Sequence, residues 1–282
     1  MATIVGQSGA WQTLASDLAR RGYTISTPRE LPPLLRKMEK TRPQLIDASR
    51  AKTLRAIHQL TARIAALAAE RGLFRRLINS FRIRALKTEI AALYKADSLY
   101  SSALDQAIVD LRSFLNSAEL AGAEEELAVI ERLRTLPSSA VAFNDVRLNA
   151  TSYIRFNGAA LISAQIDHVV LTHAGVFVIE TKRWSHRFVE SGQFYSPFEQ
   201  VSRANYLCYD LLREKFGKMR VRSVIACGGS LPDAPLESYV KVVRPESLSS
   251  YISGCRNTEM APELFSKLRS FFEGRVGSPN AS

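Results

Sequence analysis

The sequence predicts an α/β protein in which a central sheet carries helices on both faces, preceded by a basic, mostly helical region. Three observations lead there. From residue 116 onward the predicted elements run helix, three strands, helix, strand. One of those strands, "VRSVIACGG", is short and apolar, as a strand covered on both faces must be. Before residue 116, apolar residues recur at helical spacing over a long stretch.

From the N-terminus, "WQTLASDLARRGY" suits a short amphipathic helix ended by Gly22. "TPRELPPLLRKMEKTRP" is proline-punctuated, with room for one more helix. Between residues 46 and 115, Ile57, Leu60, Ile64, Leu67, Phe74, Ile78 and Phe81 keep a three-then-four spacing. Leu93, Leu104, Ile108, Leu111 and Leu115 extend the stripe. The expected form is an antiparallel helical hairpin, turning near Gly72 or Asn79-Ser80, that packs on itself or pairs with a second copy as a coiled coil. Arg75, Arg76, Arg82, Arg84 and Lys87 are then left to point outward.

"NSAELAGAEEELAVIERLRTLP" reads as a helix with a capping box from Asn116 to Glu119 and a stop at Pro137. Strands are expected at about 140–148, 162–172 and 175–182, a helix from Pro197 to Phe216, then the apolar strand, a strand in "SYVKVV" and a helix over 261–273. The domain division is therefore 1–115, the basic helical region, and 116–282, the α/β domain.

The net charge of +11 is concentrated in the first region. Residues 1–115 hold 19 Lys and Arg against 9 Asp and Glu, whereas residues 116–282 hold 19 against 18. Clustered cations of this kind bind polyanions by releasing counterions. No apolar run is long enough to span a bilayer, and the first residues lack a secretion-signal layout. Cys208, Cys227 and Cys255 have no metal-ligand spacing and read as reduced thiols. A cytoplasmic location is expected.

The most informative segment is "QIDHVVLTHAGVFVIETKRW", Gln165 to Trp184. It reads as a hairpin of two apolar strands interrupted by Asp167, Glu180 and Lys182. Burying such charges costs several kcal/mol each unless they are paired or bind a metal. A turn at Ala174-Gly175 would set His173 against Val176, Asp167 against Lys182 and Val169 against Glu180. Alternation along the strands then puts Asp167, Glu180 and Lys182 on one face. Two hard oxygen ligands and an ammonium at one place suit metal-assisted attack on a phosphodiester. As plain structure, Asp167 and Lys182 make a cross-strand ion pair, but that leaves Glu180 alone among Val and Ile.

These residues resemble the NERD (nuclease-related domain) family, a branch of the PD-(D/E)XK nuclease-like superfamily, over about 119–230. The QIDH-type strand is present as Gln165 to His168 and the GvFvIEtK-type strand as Gly175 to Lys182. The G-x-x-G-E helix start corresponds to Gly122 through Glu126, with Val129 and Leu133 following, and Glu125 stands where the family prefers a second glycine. Ser196, Pro197 and Gln200 fill the place of an NP-x-x-Q sequence, with Ser196 replacing Asn.

The resemblance implies a PD-(D/E)XK-like core of helix, three-strand meander, helix and strand. It implies Mg²⁺ (or Mn²⁺) held by Asp167, Glu180 and the backbone carbonyl of Thr181. Lys182 would orient the attacking water and offset phosphate charge, Glu126 would hold a water, and Gln200 would bond Lys182 or a phosphate. Arg183 and Arg187, together with Arg75, Arg76, Arg82, Arg84 and Lys87, are candidates for contact with nucleic acid, DNA first.

Two functions remain open on sequence, beside a third reading that places the arm on an anionic membrane surface, for which its aromatic content is low. One is a metal-dependent nuclease whose basic helical arm holds substrate. The other is a non-catalytic nucleic-acid-binding or scaffolding protein on the same fold, with oligomerisation through the N-terminal helices.

Overall fold

A computed structural model describes residues 1–235, 238–255 and 260–277. The chain divides into two compact units. One is Ser26–Asn116; the other joins Met1–Ile25 to the described residues from Ser117 onward. The region expected over 1–115 is thus split, because its first residues join the sheet rather than the helices.

The helical unit is a hairpin of α2 (Leu31–Ala69) and α3 (Leu73–Leu115). Gly72, at φ 116°, makes the turn in a conformation that only glycine adopts without strain. Cross-links at matched heights fix the antiparallel pairing: Ser49 Oγ donates to Asp97 Oδ1 at 2.6 Å, and Arg42 pairs with Asp105. Asn79 Nδ2 donates to the Leu67 carbonyl at 2.9 Å. Helix α2 begins earlier than expected and runs through Pro43.

The apolar stripe behaves as a seam only in part. Leu60, Ile108 and Leu111 are buried, whereas Phe74, Ile78 and Phe81 are exposed. Near the turn, α3 faces its partner with Asn79 and Leu86 instead, and the three-then-four spacing does not carry across a helix break.

The α/β unit holds a six-stranded mixed sheet in the order β1 to β6. Its strands are β1 (Thr3–Val5), β2 (Val141–Phe156), β3 (Ala159–Thr172), β4 (Gly175–Lys182), β5 (Val221–Cys227) and β6 (Lys241–Val243). Helices α6 (Pro197–Phe216) and α8 (Pro262–Glu273) bury one face over Phe143, Val169, Val178 and Ile225. Helices α4 (Ala118–Arg134) and α7 (Pro245–Gly254) bury the other over Ala142, Val170, Phe177 and Val224. The order α4, β2–β3–β4, α6, β5 is the expected core.

Some elements lie beyond the sequence reading. Strand β1 pairs in parallel with β2, setting Thr3 against Val141, and α1 (Gly9–Arg20) buries Trp11, Leu14 and Leu18. The β2–β3 hairpin extends to a turn at Asn157-Gly158, both at positive φ. Helix α5 (His186–Glu190) follows β4. The cap of α4 is Ser117, whose side chain accepts from the Leu120 N–H at 3.1 Å, so the expected Asn116 cap moves by one residue. No helix among the described residues is long and apolar enough to cross a membrane.

Candidate metal centre

The β3–β4 register differs from the expected one by two residues. Thr172 pairs with Gly175, Val169 with Val178 and His168 with Ile179. The turn is therefore His173-Ala174, closed by the Ala174 N–H donating to Thr172 Oγ1 at 3.1 Å, and Gly175 opens β4 at φ 123°. Continuing that register sets Asp167 level with Glu180 rather than with Lys182. A shift of two leaves every side chain on its own face, so the shared face survives the error.

Asp167 Oδ2 accepts the Thr181 N–H at 2.7 Å. Lys182 Nζ donates to Glu180 Oε1 at 2.5 Å and lies 5.7 Å from the centre of the Trp184 ring. Burial drives the Glu180 carboxyl up to about 8, helped by the charge of Asp167 and opposed by Lys182. Burial also raises Asp167, against the pull of Lys182 and of the Thr181 N–H.

Glu126 reaches the cluster from α4. Its carboxyl is raised to about 7, by burial first and then by the charge of Asp167. Two donors from the start of α1 hold it: Ser8 Oγ at 2.7 Å and the Ala10 N–H at 3.3 Å, both on Oε2. Ser8 also caps α1 by accepting from the Trp11 N–H at 3.0 Å. Ser8→Ala is expected to cost about 1–3 kcal/mol of stability, from the lost cap and the lost charged hydrogen bond. It should also raise the Glu126 carboxyl further, measurable by carboxyl-carbon NMR. An unchanged titration would separate Ser8 from Glu126.

A fourth carboxylate went unremarked in the sequence. Asp145 lies in β2 at φ 52°, between the pairs Asn144–His168 and Val146–Ile166, and so stands opposite Asp167. It is buried, accepts from Gln165 Nε2 at 2.6 Å and faces Arg147 at 3.6 Å. Its charge adds to the upward push on Asp167 and Glu126. The available signal was an acid inside the otherwise apolar "VAFNDV".

A neutral polar chain locks the strands beneath the site. Asn144 Nδ2 donates to the Gly6 carbonyl at 3.2 Å, which turns Asn144 Oδ1 toward His168 Nδ1 at 2.8 Å. His168 Nδ1 then carries the proton, and Nε2 accepts from Thr181 Oγ1 at 3.1 Å. Burial lowers His168 to about 3, so it stays neutral. His173 bonds the Met260 carbonyl at the turn, away from the acids.

The remaining candidates are more loosely placed. Gln200 sits in the first turn of α6, and its side chain has no hydrogen-bond partner among the described residues. Arg183 pairs with Glu124 at 3.2 Å and lies 3.9 Å from Glu125; Arg187 is exposed on α5. Glu125 is buried against Gly228, where an added Cβ would lie 1.9 Å from its Oε1. That contact explains the glycine in "CGG" without any phosphate. Arg75, Arg76, Arg82, Arg84 and Lys87 are exposed on α3, in the helical unit.

The donor set fits a hard divalent cation. Asp167, Glu180, Glu126 and Asp145 crowd carboxyls together; burial keeps protons on Asp167, Glu180 and Glu126 to higher pH, and Lys182 opposes that shift at Asp167 and Glu180. Among the described residues no group of three or more His, Cys, Asp or Glu is placed to hold a metal ion by itself. Mg²⁺ needs only one or two carboxylates, because it keeps its waters. A cleft of about 530 Å³ lined by Phe156, Phe198, Tyr206 and Tyr209 shares no residue with this cluster.

Residues 121–227 match the family model described as nuclease-related domain (NERD). The match begins in α4, ends with β5, and contains Glu126, Asp167, Glu180, Lys182 and Gln200. No curated protein matches the chain. Among solved structures, protein VC1899 from Vibrio cholerae is similar at 10% identity and a TM-score of 0.30. That similarity covers 90% of this chain and 59% of the other, so this chain spans less than two thirds of that protein's length.

Proposed function

We propose, from the match of residues 121–227 to the nuclease-related domain model, that the α/β unit is a divalent-metal-dependent phosphodiester hydrolase acting on nucleic acid, DNA in the first place. The observation that carries this reading is the set of Asp167, Glu180 and Lys182 at adjoining strands, with the Thr181 N–H on Asp167 and the Lys182 ammonium on Glu180.

Asp167, Glu180 and the Thr181 carbonyl would hold Mg²⁺ or Mn²⁺. When bound, the ion supplies a Lewis acid for a phosphoryl oxygen and acidifies water. The protein supplies the rest. Lys182, whose ammonium lies on Glu180, would face the phosphate and offset the charge that builds on it. Glu126, with a carboxyl near 7, can hold a water and accept a proton at neutral pH. Ser8 and the Ala10 N–H fix that carboxylate in place. The His168 chain holds Thr181, and through it the height of β4 against β3.

Cleavage of plasmid and of labelled single strands is the test, with Mg²⁺ or Mn²⁺, with chelator, and with Asp167→Ala. Cleavage by the wild type in metal alone, lowered at least about a hundredfold in the variant, is the expected result. Metal-independent binding without cleavage by either protein would instead leave a nucleic-acid-binding module on a nuclease-like fold.

A further inference from the structure

The hairpin turns an apolar face away from its own seam at the start of α3. Phe74 is 77% exposed, Leu77 60%, Ile78 42% and Phe81 69%. At about 100° per residue these four fall in one sector roughly 100° wide, on the side of α3 opposite Asn79 and Leu86, which face α2. Arg75 and Arg82 flank one edge of the sector and Arg84 the other. From Glu70 to Thr88 the chain carries Arg71, Arg75, Arg76, Arg82, Arg84 and Lys87 against the single acid Glu70.

We propose that this tip docks on the surface of an anionic phospholipid bilayer, with the first turns of α3 lying in the headgroup region. Four large apolar side chains side by side in water are costly, and monomers seldom keep such a patch without a use for it. A second copy of the chain would cover the face but bring two arginine-flanked surfaces together. Nucleic acid would satisfy the guanidinium groups and stack on the phenylalanines, while Leu77 and Ile78 stayed wet. An anionic bilayer takes both parts: the apolar sector enters the acyl boundary, and the long arginines reach up to lipid phosphates. The contact is peripheral, since no described helix can span a bilayer.

The test is co-sedimentation of the full chain with vesicles of phosphatidylcholine alone and with about 30% phosphatidylglycerol. It needs no enzymatic activity. The expected result is binding to the anionic vesicles at least about tenfold tighter than to the neutral ones, weakening with salt. The double variant Phe74→Ser with Phe81→Ser should lose about tenfold or more at unchanged helicity, and Arg82→Gln with Arg84→Gln should lose the preference for anionic lipid. Wild-type protein that ignores anionic vesicles overturns the proposal. So does a phenylalanine variant that binds them like wild type. If the same variants abolish self-association or duplex binding while vesicles are ignored, the face belongs to a second copy or to nucleic acid.

Discussion

Lys182→Met is expected to slow metal-dependent cleavage by about 10²–10³-fold while duplex affinity stays within about threefold of wild type. The variant keeps the length and most of the packing of the side chain and removes the ammonium that lies on Glu180. That loss corresponds to about 3–4 kcal/mol of transition-state stabilisation. The ammonium acts on charge that develops as the phosphodiester is attacked, so its loss falls on the rate rather than on binding.

A second consequence follows from the same deletion. Lys182 is the charge that holds Asp167 and Glu180 down against burial. Without it both carboxyls retain protons to higher pH, so the residual activity should need more metal and a higher pH than wild type. Lys182→Arg preserves charge but replaces a point donor by a planar fork, and should recover only about a tenth of the rate. Single-turnover cleavage of a labelled oligonucleotide across pH and Mg²⁺ concentration reads all of this. Equal rates for wild type and Lys182→Met would move the chemistry away from β4.

The order of core elements was legible because each has its own signature. The apolar run Val176 to Ile179 marks β4, a long amphipathic run marks α6, and the apolar stretch Val224 to Cys227 marks β5. The acids of the centre were legible for a related reason: Asp167 and Glu180 break runs that burial should have kept apolar. Register was not, since Ala174-Gly175 and His173-Ala174 are both plausible two-residue turns and differ by two, which alternation cannot detect.

Ser8 and Asp145 were missed because their roles depend on contacts far along the chain. Ser8 meets Glu126 across 118 residues, and Asp145 matters only once β2 is laid against β3. The exposed face at Phe74–Phe81 was misread as seam because periodicity tells which residues share a side, not which side the partner helix takes. Gly72 resets that phase.

In chelator, Glu180→Gln is expected to gain heat stability relative to wild type as pH rises from about 5 to 8.5, by about 3–8 °C over that span. In the unfolded chain a Glu carboxyl ionises at about 4.3. In the folded protein burial and Asp167 hold Glu180 to about 8. Below the lower value both states keep the proton and there is no penalty. Between the two the unfolded state sheds a proton that the folded state retains, so wild-type stability falls with rising pH and levels off once the folded group ionises. Glutamine does not titrate, and its curve lacks that part of the decline. Glu126, raised to about 7, adds a decline of its own in both proteins, and because its charge is among those that raise Glu180 the two acids titrate together in wild type.

Mg²⁺ should reverse the ranking, because a bound cation takes the place of the protons. It should stabilise wild type more at pH 8 than at pH 5 and release protons measurable as buffer-dependent heats of binding. A variant-minus-wild-type difference that is flat with pH would mean the acids are not crowded in a desolvated site. A sloping difference with no response to Mg²⁺ would keep the crowding and remove the metal.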